Sequence, residues 1–254
     1  MRPNRLIDLL RSGKPAVAGW LSCDSPFIAE LVASAGFDAV VIDLQHGVAG
    51  YVAMVAMLQA MSHTPVTPLV RVTSNTLGEI NRALDAGAYG VICPLVDDAD
   101  QARAFARACR YPPRGDRSYG PARALLYGGS DYPQHADDHI LALAMIETTR
   151  ALDAVDAIAA VGELDGLFVG PSDLGISLGL GPRAPHTEPA LADALARVVA
   201  ASRRAGKPCG IWCGTAEMAR AMHALGFGLV VPGHDALWLK TEMARQLALV
   251  TAQS

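Results

Sequence analysis

At 254 residues the chain has the length of one large domain, and an α/β barrel takes about 250. Its 51% hydrophobic and 18% charged residues supply a sizeable core and argue against disorder. A net charge of −4, with no dense Lys/Arg run, leaves no electrostatic footprint for nucleic acid or for an anionic membrane surface.

The N-terminal stretch MRPNRLIDLLRSGKP is interrupted by Asp8 and Arg11 and has no signal-peptide core. No apolar run approaches the roughly 18 residues of a membrane span, so the expectation is a soluble, cytoplasmic protein. Five cysteines (Cys23, Cys93, Cys109, Cys209, Cys213) stand at scattered spacings and read as buried thiols. Cys209 and Cys213 lack the two-residue gap of a zinc knuckle.

After a helix at about Arg5 to Ser12, strand and helix alternate along the whole chain. The first strand is Ala16 to Leu21, followed by a helix from Ser25, a plausible N-cap, to Ala35, stopped by Gly36. The second strand opens VVIDLQHG at Val40 and carries Asp43, Gln45 and His46 at its end, before a helix at about Tyr51 to Ser62. The third is Thr67 to Val72 with Arg71 at its end; Asn75 can cap a helix that ends at Ala86-Gly87. The fourth is Gly90 to Val96, and its helix runs from Asp98 to Arg110.

Tyr111 to His139, rich in proline and glycine and carrying Arg114, Arg117 and Arg123, is too long for an ordinary loop and reads as an irregular functional or interface insertion. The fifth strand, Leu141 to Ile146, runs into Glu147, and its helix spans Ala151 to Val161. The sixth, Gly166 to Val169, runs into GPSDLG (Gly170 to Gly175), with a helix over Glu188 to Ala205. Cys209 to Cys213 and Gly228 to Val231 are the last strands, with a helix over Thr215 to Leu225 between them and another opened by Asp235. Eight such units predict a single (β/α)8 barrel domain with no boundary inside it.

In such a barrel the catalytic groups stand at the C-terminal ends of the strands. There this sequence places Asp43, Gln45, His46, Arg71, Glu147, Ser172, Asp173, His234 and Asp235 on otherwise apolar strands. Asp43, three residues from His46, can fix its tautomer and raise its basicity, as a general base requires; the alternative is a histidine satisfied by a nearby carbonyl.

Glu147 and Asp173 come from neighbouring strands, and two hard oxygen ligands with room for water and substrate suit Mg²⁺ or Mn²⁺, with Co²⁺ or Zn²⁺ as further candidates. Otherwise they are a solvated pair, or one of them caps the short helix after Gly170. Pro171 at a first helical position leaves the amides of Ser172 and Asp173 free to hold a substrate carboxylate. Arg71 ends a buried run and needs an anion, either a reaction oxyanion or a salt-bridge partner in Asp43 or Glu147.

Lys14 and Lys207 precede strands and Lys240 lies in the last helix, so no lysine reaches the catalytic face to form a Schiff base. The corner after strands 7 and 8 lacks Lys and Arg, which favours a carboxylate substrate over a phosphorylated one. Trp20 and Trp212, at strand ends, wall the pocket or simply pack. His135 and His139 stand at i, i+4 spacing but read as solvated.

GFDAVVIDLQHG, the Arg of PLVRV, LDAGAYGVICPLV, the Glu of AMIET and FVGPSDL occur in that order. Through them nearly the whole chain resembles the metal-dependent, class II pyruvate aldolases of the HpcH/HpaI family, of the 4-hydroxy-2-oxoheptanedioate and 2-keto-3-deoxy-sugar-acid type. The resemblance implies a phosphoenolpyruvate/pyruvate-type barrel, hexameric with the last helix exchanged between subunits. It implies a metal on Glu147 and Asp173, a pyruvate carboxylate on the Ser172 and Asp173 amides, His46 as proton acceptor, and Arg71 as the enolate's counter-charge.

In the resemblance the Asp of LDAGA, here Asp85, is credited with raising the histidine's basicity. The chain order puts Asp85 at the far end of its helix, near the barrel floor or a partner, so Asp43 is favoured on distance.

Three departures bear on the second substrate: Gln45 where Glu is common, Met145 where a substrate-binding Gln is common, and His234 at a variable position. The expected reaction is reversible retro-aldol cleavage of a 4-hydroxy-2-oxo acid into pyruvate, or a close analogue, and an aldehyde. The alternatives are decarboxylation of oxaloacetate through the same enolate, and a non-catalytic barrel for ligand sensing or assembly.

Overall fold

The computed structural model describes residues 1–251. Eight parallel strands close into a barrel in chain order: β1 (Ala16–Leu21), β2 (Ala39–Asp43), β3 (Thr67–Arg71), β4 (Gly90–Cys93), β5 (Leu141–Ile146), β6 (Gly166–Val169), β7 (Cys209–Trp212) and β8 (Leu229–Val231). β1 meets β8 through Ala16 opposite Leu229 and Val17 opposite Val230, which closes the ring. The chain is therefore a (β/α)8 barrel.

The apolar runs form strands buried on both faces, and their period of two sorts each strand into an inner and an outer set. On β5, Leu141, Leu143 and Met145 fill the barrel with Val41, Leu69, Ile92 and Phe168. Ala142, Ala144 and Ile146 instead face the helices. The same phase carried one step past the apolar layer selects the residues at the mouth: Ser22 after Trp20, Asp43 after Val41, Arg71 after Leu69, Glu147 after Met145 and Gly170 after Phe168.

The outer layer comprises α2 (Pro26–Ser34), α3 (Tyr51–Ala60), α4 (Leu77–Asp85), α5 (Ala99–Ala108), the short α8 (Thr149–Asp153) and α9 (Val155–Ala159), α11 (Pro189–Arg204) and α12 (Ala216–Leu225). At the floor α1 (Arg5–Arg11) buries Leu6 and Ile7 against the inner layer. Asn4 accepts from the Ile7 amide at 3.3 Å and ties this plug to the Tyr89 and His139 carbonyls at 3.1 and 2.6 Å.

Several boundaries differ from the sequence expectations. β2 stops at Asp43, because the carboxylate accepts the next amides and turns the chain. β4 stops at Cys93, and Leu95 adopts a left-handed φ of 53°, so the expected strand to Val96 is a strand and a turn. The single helix expected over Ala151 to Val161 is broken into α8 and α9. Thr76, and not Asn75, occupies the N-cap position of α4, without a side-chain capping hydrogen bond; Asn75 Nδ2 donates to the Gln101 carbonyl at 3.0 Å.

The stretch from 111 to 139 is not irregular throughout: it contains α6 (Ala122–Gly128) and α7 (Tyr132–His139). It joins α5 to β5 and so lies on the floor, away from the chain's own barrel mouth. Its arginines are structural there. Arg117, fully buried, donates to Asp85 and to the Tyr132 hydroxyl, both at 2.9 Å. Arg123 donates to the Ala86 carbonyl and the Ser62 hydroxyl, both at 2.6 Å. Arg114 pairs with Asp138 at 2.7 Å and Glu163 at 2.8 Å. On α7 His135 is exposed, as expected of a solvated residue, whereas His139 is half-buried with its Nδ1 3.0 Å from the His135 carbonyl.

Candidate active site

The inward phase of the strands opens at the mouth into a cavity of about 310 Å³. Trp20, Asp43, His46, Arg71, Met145, Gly170, Ser172, Asp173, Trp212 and His234, all singled out from the sequence, line it together with Ser22, Phe168 and Pro171. Among the described residues no lysine lines it; Lys207 instead donates to the Val161 carbonyl on the floor.

Asp43 is the hub of one wall. Its Oδ1 accepts Arg71 Nε at 2.8 Å and the amides of Gln45 and His46 at 3.0 and 3.2 Å. Its Oδ2 accepts Arg71 Nη2 at 2.5 Å and Trp20 Nε1 at 3.1 Å. Burial pulls the carboxyl up, but the Arg71 hydrogen bonds and charge, with the His46 amide and Trp20, outweigh it and hold it below the usual carboxylate range. Arg71 thus takes its salt bridge with Asp43, not Glu147, and its ring-side face lies 4.9 Å from the Trp20 ring.

This geometry corrects the pairing expected for His46. Asp43 holds the backbone of His46, not its imidazole, because all of its oxygen lone-pair directions are committed to other donors. Asp85 ends α4 on the floor, ion-paired to Arg117 at 2.9 Å, and does not line the cavity. The His46 ring is exposed at the rim and makes no hydrogen bond among the described residues. Gln45 does not line the cavity either; its Oε1 is buried without a partner among the described residues.

On the opposite side Asp173 lines the cavity, while Glu147 lies behind Gly170 and outside the lining. Glu147 is 2% exposed, and its Oε1 accepts the Leu95 amide at 2.7 Å. The left-handed turn at Leu95 aims that amide inward. Oε2 has no hydrogen-bond donor among the described residues and lies against Gly170, where a Cβ would come within 2.7 Å of it. Burial pushes the Glu147 carboxyl up to about 7; the Leu95 amide and Arg71 pull it back, while Asp173 and Asp97 raise it further.

A buried carboxylate with an unmatched oxygen beside a second carboxylate fits a divalent cation. No group of three His, Cys, Asp or Glu side chains converges among the described residues. A two-carboxylate donor set completed by water and substrate oxygens suits Mg²⁺ or Mn²⁺ better than Zn²⁺. Next to it α10 (Pro171–Ser177) starts at Gly170, and its first-turn amides at Ser172 and Asp173 have no acceptor within the helix.

The profile of the HpcH/HpaI aldolase/citrate lyase family matches residues 17–236, from β1 to the first turn of the last helix. The chain belongs to this family. It is 40% identical over 244 residues to the hydroxypyruvate/pyruvate aldolase of Rhizorhabdus wittichii RW1, covering 96% of this chain and 97% of that protein. It is 36% identical to the 4-hydroxy-2-oxo-heptane-1,7-dioate aldolase of Klebsiella pneumoniae, covering 91% of this chain and 88% of that protein. The crystal structure of an HpcH/HpaI aldolase/citrate lyase family protein from Burkholderia cenocepacia J2315 superposes with a TM-score of 0.91 at 33% identity, over 98% of this chain and 99% of that one.

Within this HpcH/HpaI barrel, the sequence reading missed three cavity features. Ser22 and Phe168 were available from strand phase, Ser22 being the first polar residue in the inner series of β1. The Leu95 amide carries no signal in residue type, since any residue but proline donates there and only the backbone turn aims it.

Proposed function

We propose that this family member is a divalent-metal-dependent aldolase that reversibly cleaves a 4-hydroxy-2-oxo acid into pyruvate, or a close analogue such as hydroxypyruvate, and an aldehyde. One observation carries the reading: Asp173, Arg71 and the exposed His46 imidazole line one cavity without a lysine among the described residues, and the buried Glu147 carboxylate lies just behind Gly170 of that lining. Enolate formation without a Schiff base needs this combination. The aldolase names of the relatives support the same class of carbon–carbon lyase.

The Ser172 and Asp173 amides hold the substrate carboxylate. Glu147 and Asp173 would hold a divalent cation, which when bound would supply Lewis-acid polarisation of the 2-oxo group. Arg71 spends Nε and Nη2 on Asp43, which fixes the guanidinium plane and leaves Nη1 for the developing oxyanion. His46, through a water, takes the C4 hydroxyl proton as the C3–C4 bond breaks. The bonding pair passes to the pyruvate fragment, the aldehyde leaves, and C3 of the enolate is protonated.

Copies of the chain associate in this reading, a hexamer by the family resemblance. Leu239, Met243 and Leu247 support it: they are exposed at i, i+4, i+8 spacing on the last helix, α13 (Asp235–Thr251).

The test is exchange of the pyruvate methyl protons in heavy water, which needs no aldehyde. Chelator-stripped protein is expected to exchange only after Mg²⁺ or Mn²⁺ is restored; no exchange with either metal would sink the reading. Gly170→Ala checks the cradle separately. Its Cβ would meet Glu147 Oε2 at 2.7 Å and Met145 Cε at 3.0 Å. Metal affinity is therefore expected to fall about 10- to 100-fold, measured by calorimetric titration of a folded variant.

A further inference from the structure

The β8/β1 wall of the cavity carries a polar pair that enolate formation does not use. Ser22 extends the inner series of β1, His234 follows β8, and Ser22 Oγ lies 3.2 Å from His234 Nδ1. The pair is braced from behind. Buried Asp235 accepts the Ser22 and Cys23 amides at 2.8 and 3.0 Å, fixing the β1 loop against the start of α13. With Nδ1 engaged, His234 Nε2 makes no hydrogen bond among the described residues, and 28% of the side chain is exposed.

In a ring of eight strands β1 is four strands from β5 in either direction, so this pair faces the Glu147 side across the mouth. His46, in the loop after β2, and Arg71, at the end of β3, stand between the two. A substrate whose 2-oxo acid end lies at β5/β6 and whose C4 hydroxyl meets His46 extends its remaining carbons toward β8/β1.

We infer that Ser22 and His234 bind a hydroxyl on the aldehyde fragment and so select hydroxyaldehydes, such as glycolaldehyde, over alkyl or anionic aldehydes. The inference rests on the aldol reading above. Charge separates a hydroxyl from a carboxylate or phosphate. Arg71 is the one guanidinium lining the cavity among the described residues, and it is committed to Asp43. Asp235 Oδ1 lies only 3.9 Å from His234 Nδ1, so an anion here would approach a buried carboxylate with no fixed cation in return. A hydroxyl both donates and accepts and matches an imidazole nitrogen and a serine oxygen. An alkyl chain leaves both groups unmatched, the kind of mismatch a polar site rejects.

The experiment measures the aldol addition of pyruvate with Mg²⁺ to glycolaldehyde, propanal and glyoxylate, beside the pyruvate methyl exchange of the unaltered protein. kcat/KM is expected to be highest for glycolaldehyde. His234→Ala is expected to cut the glycolaldehyde-to-propanal ratio about tenfold, mainly through the aldehyde KM, with partial rescue in His234→Asn. Ser22→Ala, which keeps both backbone bonds to Asp235, is expected to shift the ratio the same way. Methyl exchange with an unchanged ratio in both alanine variants, or a native preference for propanal or glyoxylate, overturns the inference and leaves the aldol reading standing. Absent methyl exchange overturns both.

Discussion

Glu147→Gln is expected to lower pyruvate methyl exchange and aldol cleavage on the order of 10³-fold or more, the scale of the several kcal/mol a divalent cation contributes. The substitution keeps volume, and its amide oxygen can still accept the Leu95 amide that Glu147 Oε1 accepts at 2.7 Å. What it removes is the charge on the oxygen beside Gly170. Calorimetric titration with Mn²⁺ should show loss of binding, and circular dichroism an intact barrel.

His46→Ala provides the contrast. It leaves both carboxylates in place, so metal binding should persist while cleavage falls by about 10²- to 10⁴-fold, the usual contribution of a general base. Full cleavage activity in His46→Ala would remove the proton-transfer role. Full activity in Glu147→Gln would remove the metal site.

The barrel was legible because its strands are continuous apolar runs separated by helical patterns, and a parallel strand covered on both faces leaves that signature. The mouth was legible for a related reason: a charge ending an oily strand can only point out of the core, so Asp43, Arg71 and Glu147 announced one face. Pairing among those charges was not legible. Asp43 could serve Arg71 or His46, and the choice depends on side-chain reach across β2 and β3, where Asp43 lies opposite Arg71 in register. Register between strands is not written in residue types.

The 111–139 stretch misled for another reason. Pro112, Pro113 and Pro121 suggested an irregular insertion, yet ARALLYG and YPQHADDH each make a short helix. Its buried Arg117 is matched by Asp85, 32 residues earlier. An arginine in a loop reads as a solvated or functional group until the distant carboxylate that neutralises it is found.

Arg71→Ala should carry the largest stability cost at the mouth. It strips the buried Asp43 of its bidentate partner, at 2.8 and 2.5 Å, and leaves a carboxylate served only by Trp20 Nε1 and two amides. Breaking such a pair costs about 3–5 kcal/mol, since the remaining charge stays buried. For a chain of this size that is a drop of roughly 6–20 °C in melting temperature.

The sign of the pH dependence follows from Asp43. In the native protein its carboxyl lies below the usual range. Its stabilising contribution is thus complete above the unfolded value of about 4 and is lost as pH falls through the lower folded one. In Arg71→Ala burial is left to dominate, the folded carboxyl moves above the unfolded value, and acidification toward pH 4 protonates it and relieves the cost. The gap in melting temperature between the two proteins should therefore be widest near neutrality and narrow toward pH 4, as scanning calorimetry at several pH values would read. A gap independent of pH would mean that the cost of Arg71→Ala arises from lost packing against Trp20 and not from an uncompensated Asp43.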